Sequence, residues 1–290
     1  MTPPGLRQAD RPVLVMLAAG MAKRYGGCKP LAPLGWHGEA VIDLTTSDAL
    51  EAGFGDVVLV LGPQSGPAIR YHVRRCWPRA VAVADVEQPR PLGTAHALLC
   101  ARRAVGNRSF GVVNADDVYG VGPLATLADH LVSGTRTEHA LVAFALADTV
   151  LSADAVTRGT VTAGQDGLLG SIAERRHVTR RDDGRFEVGD GLEPRMLPGT
   201  TPVSMNLWGF RPRILESLRD AVTIFAERTA GVPLDADGKP PECLLPDVIG
   251  ALVNSSEDAV EVVHTAGRCL GLTHPDDLEL LGPELERRPA

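Results

Sequence analysis

The first 150 residues alternate between short apolar runs and longer segments of helical periodicity, and this rhythm restricts the fold more than any single motif does. The apolar runs are "VLVML" (13–17), "DVVLVLG" (56–62), "AVAVADV" (80–86), "SFGVVN" (109–114) and "HALVAFALA" (139–147). They are rich in β-branched residues and nearly continuous in hydrophobicity, as expected of strands covered on both faces. Between them lie "AVIDLTTSDALEAGF", with Gly53 as a stop signal, "GPAIRYHVRRCW", "TAHALLCARRAV" and "PLATLADHLVSG", which read as helices. The alternation predicts an α/β, Rossmann-like, doubly wound and mainly parallel sheet with helices on both faces. In such a sheet the ligand sits at the carboxyl ends of the strands.

From about Leu151 the rhythm changes. "RGTVTAGQDGLLGSIAERRHVTRRDDGRFEVG" has short strand-like pieces joined by Gly and Asp turns, which predicts a small antiparallel insertion over about 151–205. "PVSMNLWGF" reads as a strand, and "RPRILESLRDAVTIFAERTA" and "LLPDVIGALVNS" as helices. The tail adds a strand and a closing helix. We read one domain over 1–290, with its core over about 12–282.

Bulk properties exclude some classes of function. A formal net charge of -7 argues against general nucleic-acid binding, which needs a basic surface, but allows an anionic small molecule in a local basic pocket. No run approaches the ~20 apolar residues that cross a bilayer. The start, "MTPPGLRQADRP", has no apolar leader core. The five cysteines are scattered without a CxxC pair, which fits reduced thiols. The expectation is a cytoplasmic protein with no membrane partner, and homo-oligomerisation is left open. Cys28 reads as a small loop residue rather than as an activated thiol.

Four places can carry chemistry. The first strand runs into "AAGMAKRYGGCKPL", where Gly20, Gly26 and Gly27 let a ligand approach the main chain and Lys23, Arg24 and Lys29 concentrate positive charge. Such a loop suits a polyphosphate, with Arg24 gripping oxygens in bidentate fashion and Lys29 acting as a point charge. The second place is "VNADDVYG", where Asp116 and Asp117 end an apolar strand. As an isolated motif it is as well explained by a helix-capping turn; beside a phosphate loop, a bridging Mg²⁺ is the better account. The third is "EQPRPLGTAHALL", with Gly93-Thr94 at a helix start and a Gln88 amide able to donate and accept against a pyrimidine edge. His96 there reads as a satisfied helix residue. The fourth comprises Arg158-Gly159, Glu174-Arg175-Arg176 and Asn206; each reads equally as a surface residue, Arg176 more so, and although Glu174 and Asn206 could hydrogen-bond sugar hydroxyls, pattern alone does not single them out.

"LAAGMAKRYGGCKPL", "PLGTAHALL", "VNADDVYG", "VSMNLWGF" and "GLTHPDDL" occur in the order found in sugar-phosphate nucleotidyltransferases, and the chain resembles that family from roughly Val13 to Leu281. These are the NDP-sugar pyrophosphorylases of the glycosyltransferase-A-like nucleotidyltransferase superfamily. The resemblance implies attack of a sugar 1-phosphate, or a similar phosphate ester, on the α-phosphorus of a nucleoside triphosphate, with Mg²⁺ as cofactor and pyrophosphate as leaving group. By position it implies Arg24 and Lys29 as catalytic residues on the phosphates. It implies Leu17, Ala18, Ala19, Gly20, Gln88, Gly93 and Thr94 at the nucleotide, and Asn114, Gly159, Glu174, Arg175 and Asn206 at the acceptor. Asp116 is implied as a metal ligand, with His274 and Asp276 as the candidates for a second.

Two departures stand out. Ala22 and Lys23 replace the usual Gly-[Ser/Thr] before Arg24, which adds a Cβ where the loop passes phosphate but also a cation. Arg175 stands where a lysine is frequent. UTP or dTTP is the favoured donor. Cytidylyl transfer to an alcohol phosphate or phosphonate and a non-catalytic nucleotide-binding paralogue are the alternatives. A glycosyltransferase reading is weaker, since "ADD" lacks the spacer of a DxD motif.

Overall fold

The computed structural model describes residues 7–20, 27–133, 139–150, 154–234, 240–255 and 257–271. In chain order the elements begin β1 (Val13–Ala18), α1 (Val41–Glu51), β2 (Asp56–Leu61), α2 (Gly66–Cys76), β3 (Val83–Glu87), α3 (Thr94–Cys100) and α4 (Arg102–Val105). There follow β4 (Phe110–Asn114), β5 (Asp117–Val118), α5 (Val121–Ser133) and β6 (His139–Ala145). The insertion holds β7 (Val156–Ala163), β8 (Leu169–Arg180), β9 (Phe186–Val188) and β10 (Met196–Leu197). The chain returns through β11 (Pro202–Phe210), α6 (Ile214–Arg228), α7 (Leu245–Asn254), β12 (Val260–His264) and β13 (Leu270–Gly271).

Four of the five apolar runs form the parallel centre of one sheet, in the order β3-β2-β1-β4, while the fifth, β6, pairs antiparallel with β11. Their residues alternate between two cores. Leu14, Met16 and Leu59 pack with Ile42 and Ala49 of α1 and Leu124 and Leu127 of α5. Val13, Val15, Val58 and Val60 face the other way, with Leu98 of α3, Ile214 and Leu218 of α6 and Ile249 of α7. Each such side chain contributes about 1.5–3 kcal/mol relative to its exposed state, and β1, β2 and β4 read as continuous apolar runs because both faces bury them; β3 departs from the expectation, an edge strand left largely exposed despite its apolar sequence. The segment "TAHALLCARRAV" is not one helix: it is interrupted at Ala101, which separates α3 from α4.

β11 runs antiparallel to its neighbours and joins the core to the insertion. Its end pairs with β4 (Trp208↔Val112, Phe210↔Phe110), and its start pairs with β7 (Val203↔Thr160, Ser204↔Gly159). Its other edge pairs with β6, and the register slips by two residues between Ser204 and Trp208. β12 adds in parallel to β6, and the hairpin arm β7-β8-β9-β10 carries the expected antiparallel insertion.

Candidate active site

The carboxyl ends of β1 and β4 lie side by side (Leu17↔Asn114), and each hands its chain to a motif singled out above. After β4 the two aspartates part. Asp116 keeps 38% of its side chain exposed and stands 3.7 Å from Lys29 Nζ. Lys29 opens a single 3₁₀ turn, Lys29–Leu31, anchored by the buried Pro30. The loop residue Arg24 and the whole stretch 21–26 lie outside the described residues, as do His274 and Asp276.

Asp117 turns inward. Its Oδ2 accepts a hydrogen bond from Asn114 Nδ2 at 2.8 Å and lies 3.4 Å from the Tyr119 hydroxyl. That hydroxyl accepts from the Asn114 N–H at 3.0 Å and donates to Met205 O at 2.7 Å. It therefore ties the tip of β4 to the irregular stretch of β11. There Asn206 adopts φ +57°, a left-handed conformation that asparagine tolerates better than most residues. Trp208 Nε1 donates to Asn206 Oδ1 at 3.3 Å, and Asn206 Nδ2 points to Asn114 Oδ1 at 3.4 Å. Asn114 and Asn206, distant in sequence, are thus brought together.

Electrostatics follow from this burial. Desolvation raises the Asp116 carboxyl above its ordinary value, and Lys29 opposes it. Asp117 is pushed up to about 7, by burial first and by the neighbouring Asp116 second, while Asn114, Arg158 and Lys29 pull it down. Arg158, lowered by burial, is held by Thr149 Oγ1 at 3.1 Å and Thr157 O at 2.8 Å, with its charge toward Asp117. Burial thus raises both carboxyls above their ordinary values, and the Lys29 cation beside Asp116 opposes that rise.

Gly159 and Glu174 share one row of the sheet, Glu174↔Gly159↔Ser204, which ends two residues from Asn206. A Cβ on Gly159 would come 3.1 Å from Ile172 Cγ2. Glu174 pairs with Arg176 at 2.6 Å and adds its charge to Asp247 at the start of α7. Arg175 is committed elsewhere. It is nearly fully buried, binds Asp190 at 2.7 Å and donates to Leu192 O and Pro194 O at 3.0 Å each. Its guanidinium braces the 190–194 loop and is not brought to Asn206.

At the other end of the crevice, Leu17 O accepts from Ala115 N at 3.1 Å and Ala18 O from Ser65 Oγ at 2.9 Å. Ala19 packs so closely on the chain leaving β2 that a Cβ on Gly62 would lie 2.7 Å from its carbonyl oxygen. Gln88, buried, spends its amide nitrogen on Gly93 O at 3.0 Å and His96 Nδ1 at 3.1 Å. His96 is accordingly a satisfied residue, its pKa lowered by burial. Gly93 has φ +96°, and a Cβ there would fall 2.4 Å from Cys243 O. The Thr94 hydroxyl accepts from Leu245 N at 2.8 Å, and Ala95 N donates to Cys243 O at 3.0 Å. The start of α3 therefore docks on the chain entering α7.

Residues 14–221 match the MobA-like NTP transferase domain. The chain belongs to that family. No curated protein matches the sequence. In fold, this NTP transferase is similar to the UDP-glucose pyrophosphorylase from Acinetobacter baumannii, with TM-score 0.65 and 17% identity over 96% of this chain and 94% of that one. The UTP-bound form of the A. baumannii enzyme gives TM-score 0.59 at 15% identity, over 94% and 93% of the chains. The inositol-1-phosphate CTP transferase from T. maritima gives TM-score 0.63 at 14% identity, over 97% and 98%. The family makes the chain a nucleotidyltransferase, and the structural likenesses speak for its fold.

Several parts of the candidate site are invisible as motifs. The Tyr119 hydroxyl linkage, the Arg158 charge facing Asp117 and the docking of residues 243–245 on Gly93 and Thr94 all depend on contacts across the fold. Burial raises the Cys28 thiol above its ordinary value. Among the described residues no group of three or more His, Cys, Asp or Glu side chains converges as a metal cage, and no helix is long and apolar enough to cross a membrane. Gly271 pairs with Asp117, and a Cβ on it would lie 2.4 Å from Asp117 Oδ1.

Proposed function

We propose that this nucleotidyltransferase is Mg²⁺-dependent and moves a nucleoside monophosphate from UTP or dTTP to a sugar 1-phosphate or a similar phosphate ester. The observation that carries the reading is the approach of Lys29 to Asp116 where β1 and β4 end side by side. An acceptor phosphate oxygen attacks the α-phosphorus, and the bond to the leaving pyrophosphate breaks with its electrons going to that product. The protein contributes position and charge neutralisation. Lys29 meets the α-phosphate and Arg24 the outer phosphates, while the chain at Leu17, Ala18, Ala19 and Gly20 holds the nucleoside. Asn114, Asn206, Gly159 and Glu174 hold the acceptor, and Arg175 serves them indirectly by bracing the 190–194 loop.

A partly exposed carboxylate raised by burial suits Mg²⁺, which is typically bound through one or two carboxylates and the substrate phosphates. Asp116 would hold the ion, with a second ligand from His274 or Asp276, which follow Gly271 closely in the chain. When bound, Mg²⁺ offsets negative charge on the phosphates.

Gln88 bears on the donor. With its nitrogen committed to Gly93 and His96, its carbonyl oxygen is left to accept. That oxygen suits the N3–H of uracil or thymine, and equally the amino group of cytosine, which keeps cytidylyl transfer as a second reading. Pyrophosphate release should be measured with ATP, GTP, CTP, UTP and dTTP against a panel of phosphate esters, with Asp116→Ala as control. We expect turnover with UTP or dTTP that the control abolishes. Turnover with CTP alone rejects the donor assignment, and full activity of Asp116→Ala rejects the metal site.

A further inference from the structure

At the end of the sheet away from the crevice, a cavity of about 440 Å³ is lined by Arg102, Arg103, Asn107, Arg213, Leu215 and Glu216. It lies between α4, which leads into the amino end of β4, and the start of α6, which follows the carboxyl end of the antiparallel β11. Asn114 and the aspartates lie past the other end of β4, one strand length of roughly 16 Å away. The cavity therefore shares no residue with the site described above.

Its charge is out of keeping with the rest of the molecule. Three guanidiniums face one carboxylate in a chain whose formal net charge is -7. Arg213 is anchored by Asp258 Oδ1 at 2.6 Å, and Glu216 shares its charge with Arg219 one turn on. Several other arginines are offset by acidic partners: Arg70 with Asp85, Arg176 with Glu174, Arg181 with Glu187. Arg102 and Arg103 make no ion pair or side-chain hydrogen bond among the described residues. Adjacent like charges left uncompensated beside a third raise the local potential, which a bound anion relieves. Guanidiniums in particular match phosphate oxygens with paired N–H donors. Asn107 supplies a further amide, and the buried Leu215 an apolar floor.

We propose that this cavity is a second anion site, which takes the phosphate group of a small phosphorylated molecule independently of the catalytic crevice. The test is titration calorimetry of the full chain with inorganic phosphate in EDTA, comparing the wild type, Lys29→Ala and the double variant Arg102→Ala/Arg103→Ala. Binding should persist in Lys29→Ala and weaken by about tenfold or more in the double variant, as expected when charge-assisted hydrogen bonds are removed. Both arginines are exposed, so the double variant should keep its unfolding temperature in phosphate-free buffer. Absence of binding to the wild type, or binding lost in Lys29→Ala and retained in the double variant, overturns the proposal. A failure here leaves the nucleotidyl-transfer reading untouched, because that rests on other residues.

Discussion

Replacing Tyr119 by phenylalanine isolates a single hydroxyl. The ring is fully buried, so Tyr119→Phe keeps the packing and opens no cavity. What is lost is the acceptor for Asn114 N–H at 3.0 Å and the donor to Met205 O at 2.7 Å. Each of the two stranded buried groups costs about 1–3 kcal/mol, which places the expected destabilisation at about 2–6 kcal/mol. Urea unfolding should show a lower midpoint with an unchanged slope, since the surface exposed on unfolding stays the same. Because the same hydroxyl holds the bulge carrying Asn206, KM for the acceptor should rise while KM for the nucleotide stays put. Tyr71→Phe, on an exposed ring, is the control and should fall within about 0.5 kcal/mol of wild type. A loss in Tyr119→Phe no larger than that control would refute the account of this hydroxyl as the tie between β4 and β11.

Gly93→Ala combines a strained φ of +96° with a Cβ placed 2.4 Å from Cys243 O. Backbone strain plus displacement of that segment should cost about 2 kcal/mol or more, read as a drop in thermal midpoint, and should raise KM for the nucleotide. Asp190 is held well below the usual carboxylate range, chiefly by its hydrogen bond from Arg175. A carboxyl depressed in the folded state stabilises above its unfolded pKa of about 4 and loses that contribution as the pH falls further. Asp190→Asn should therefore be less stable than wild type at pH 7, with the gap closing on acidification, as followed by urea midpoints across pH; a constant gap would argue against the Arg175 pairing as its source.

The architecture was readable where local pattern and burial agree. The runs at 13–17 and 56–62 are apolar throughout because helices cover both of their faces, and a strand of that kind has few alternatives. The interruption at Ala101 was not readable, because "TAHALLCARRAV" keeps its apolar spacing through the break. At the site, Lys29 and Asp116 could be nominated from motifs, since the strands that carry them are neighbours in any sheet of this order. The two adjacent aspartates could not be told apart from sequence. Their difference arises from Asn114, Tyr119 and the fold of β11 around them. Arg175 illustrates the opposite case: an exposed-looking cation in a hairpin is neutralised by Asp190, fifteen residues later, and nothing local announces that partner. Asn206 needed knowledge of a two-residue slip in register, a property of the pairing with β6 rather than of the residue itself.

β11 belongs at once to the central sheet and to the hairpin arm, since its last residues pair with Val112 and Phe110 and its first with Thr160 and Gly159. The arm is tied back to the core at its β7-β8 turn, where Gly167 O accepts from Val262 N at 2.9 Å and Leu168 bridges to Glu261, so a change of length there would be felt by β12 as well. A single-residue insertion between Ser204 and Trp208 would likewise turn Asn206 away from Asn114 and disturb the pairing of β11 with β4 and β6 at once, so both the core and the arm constrain the length of this one strand.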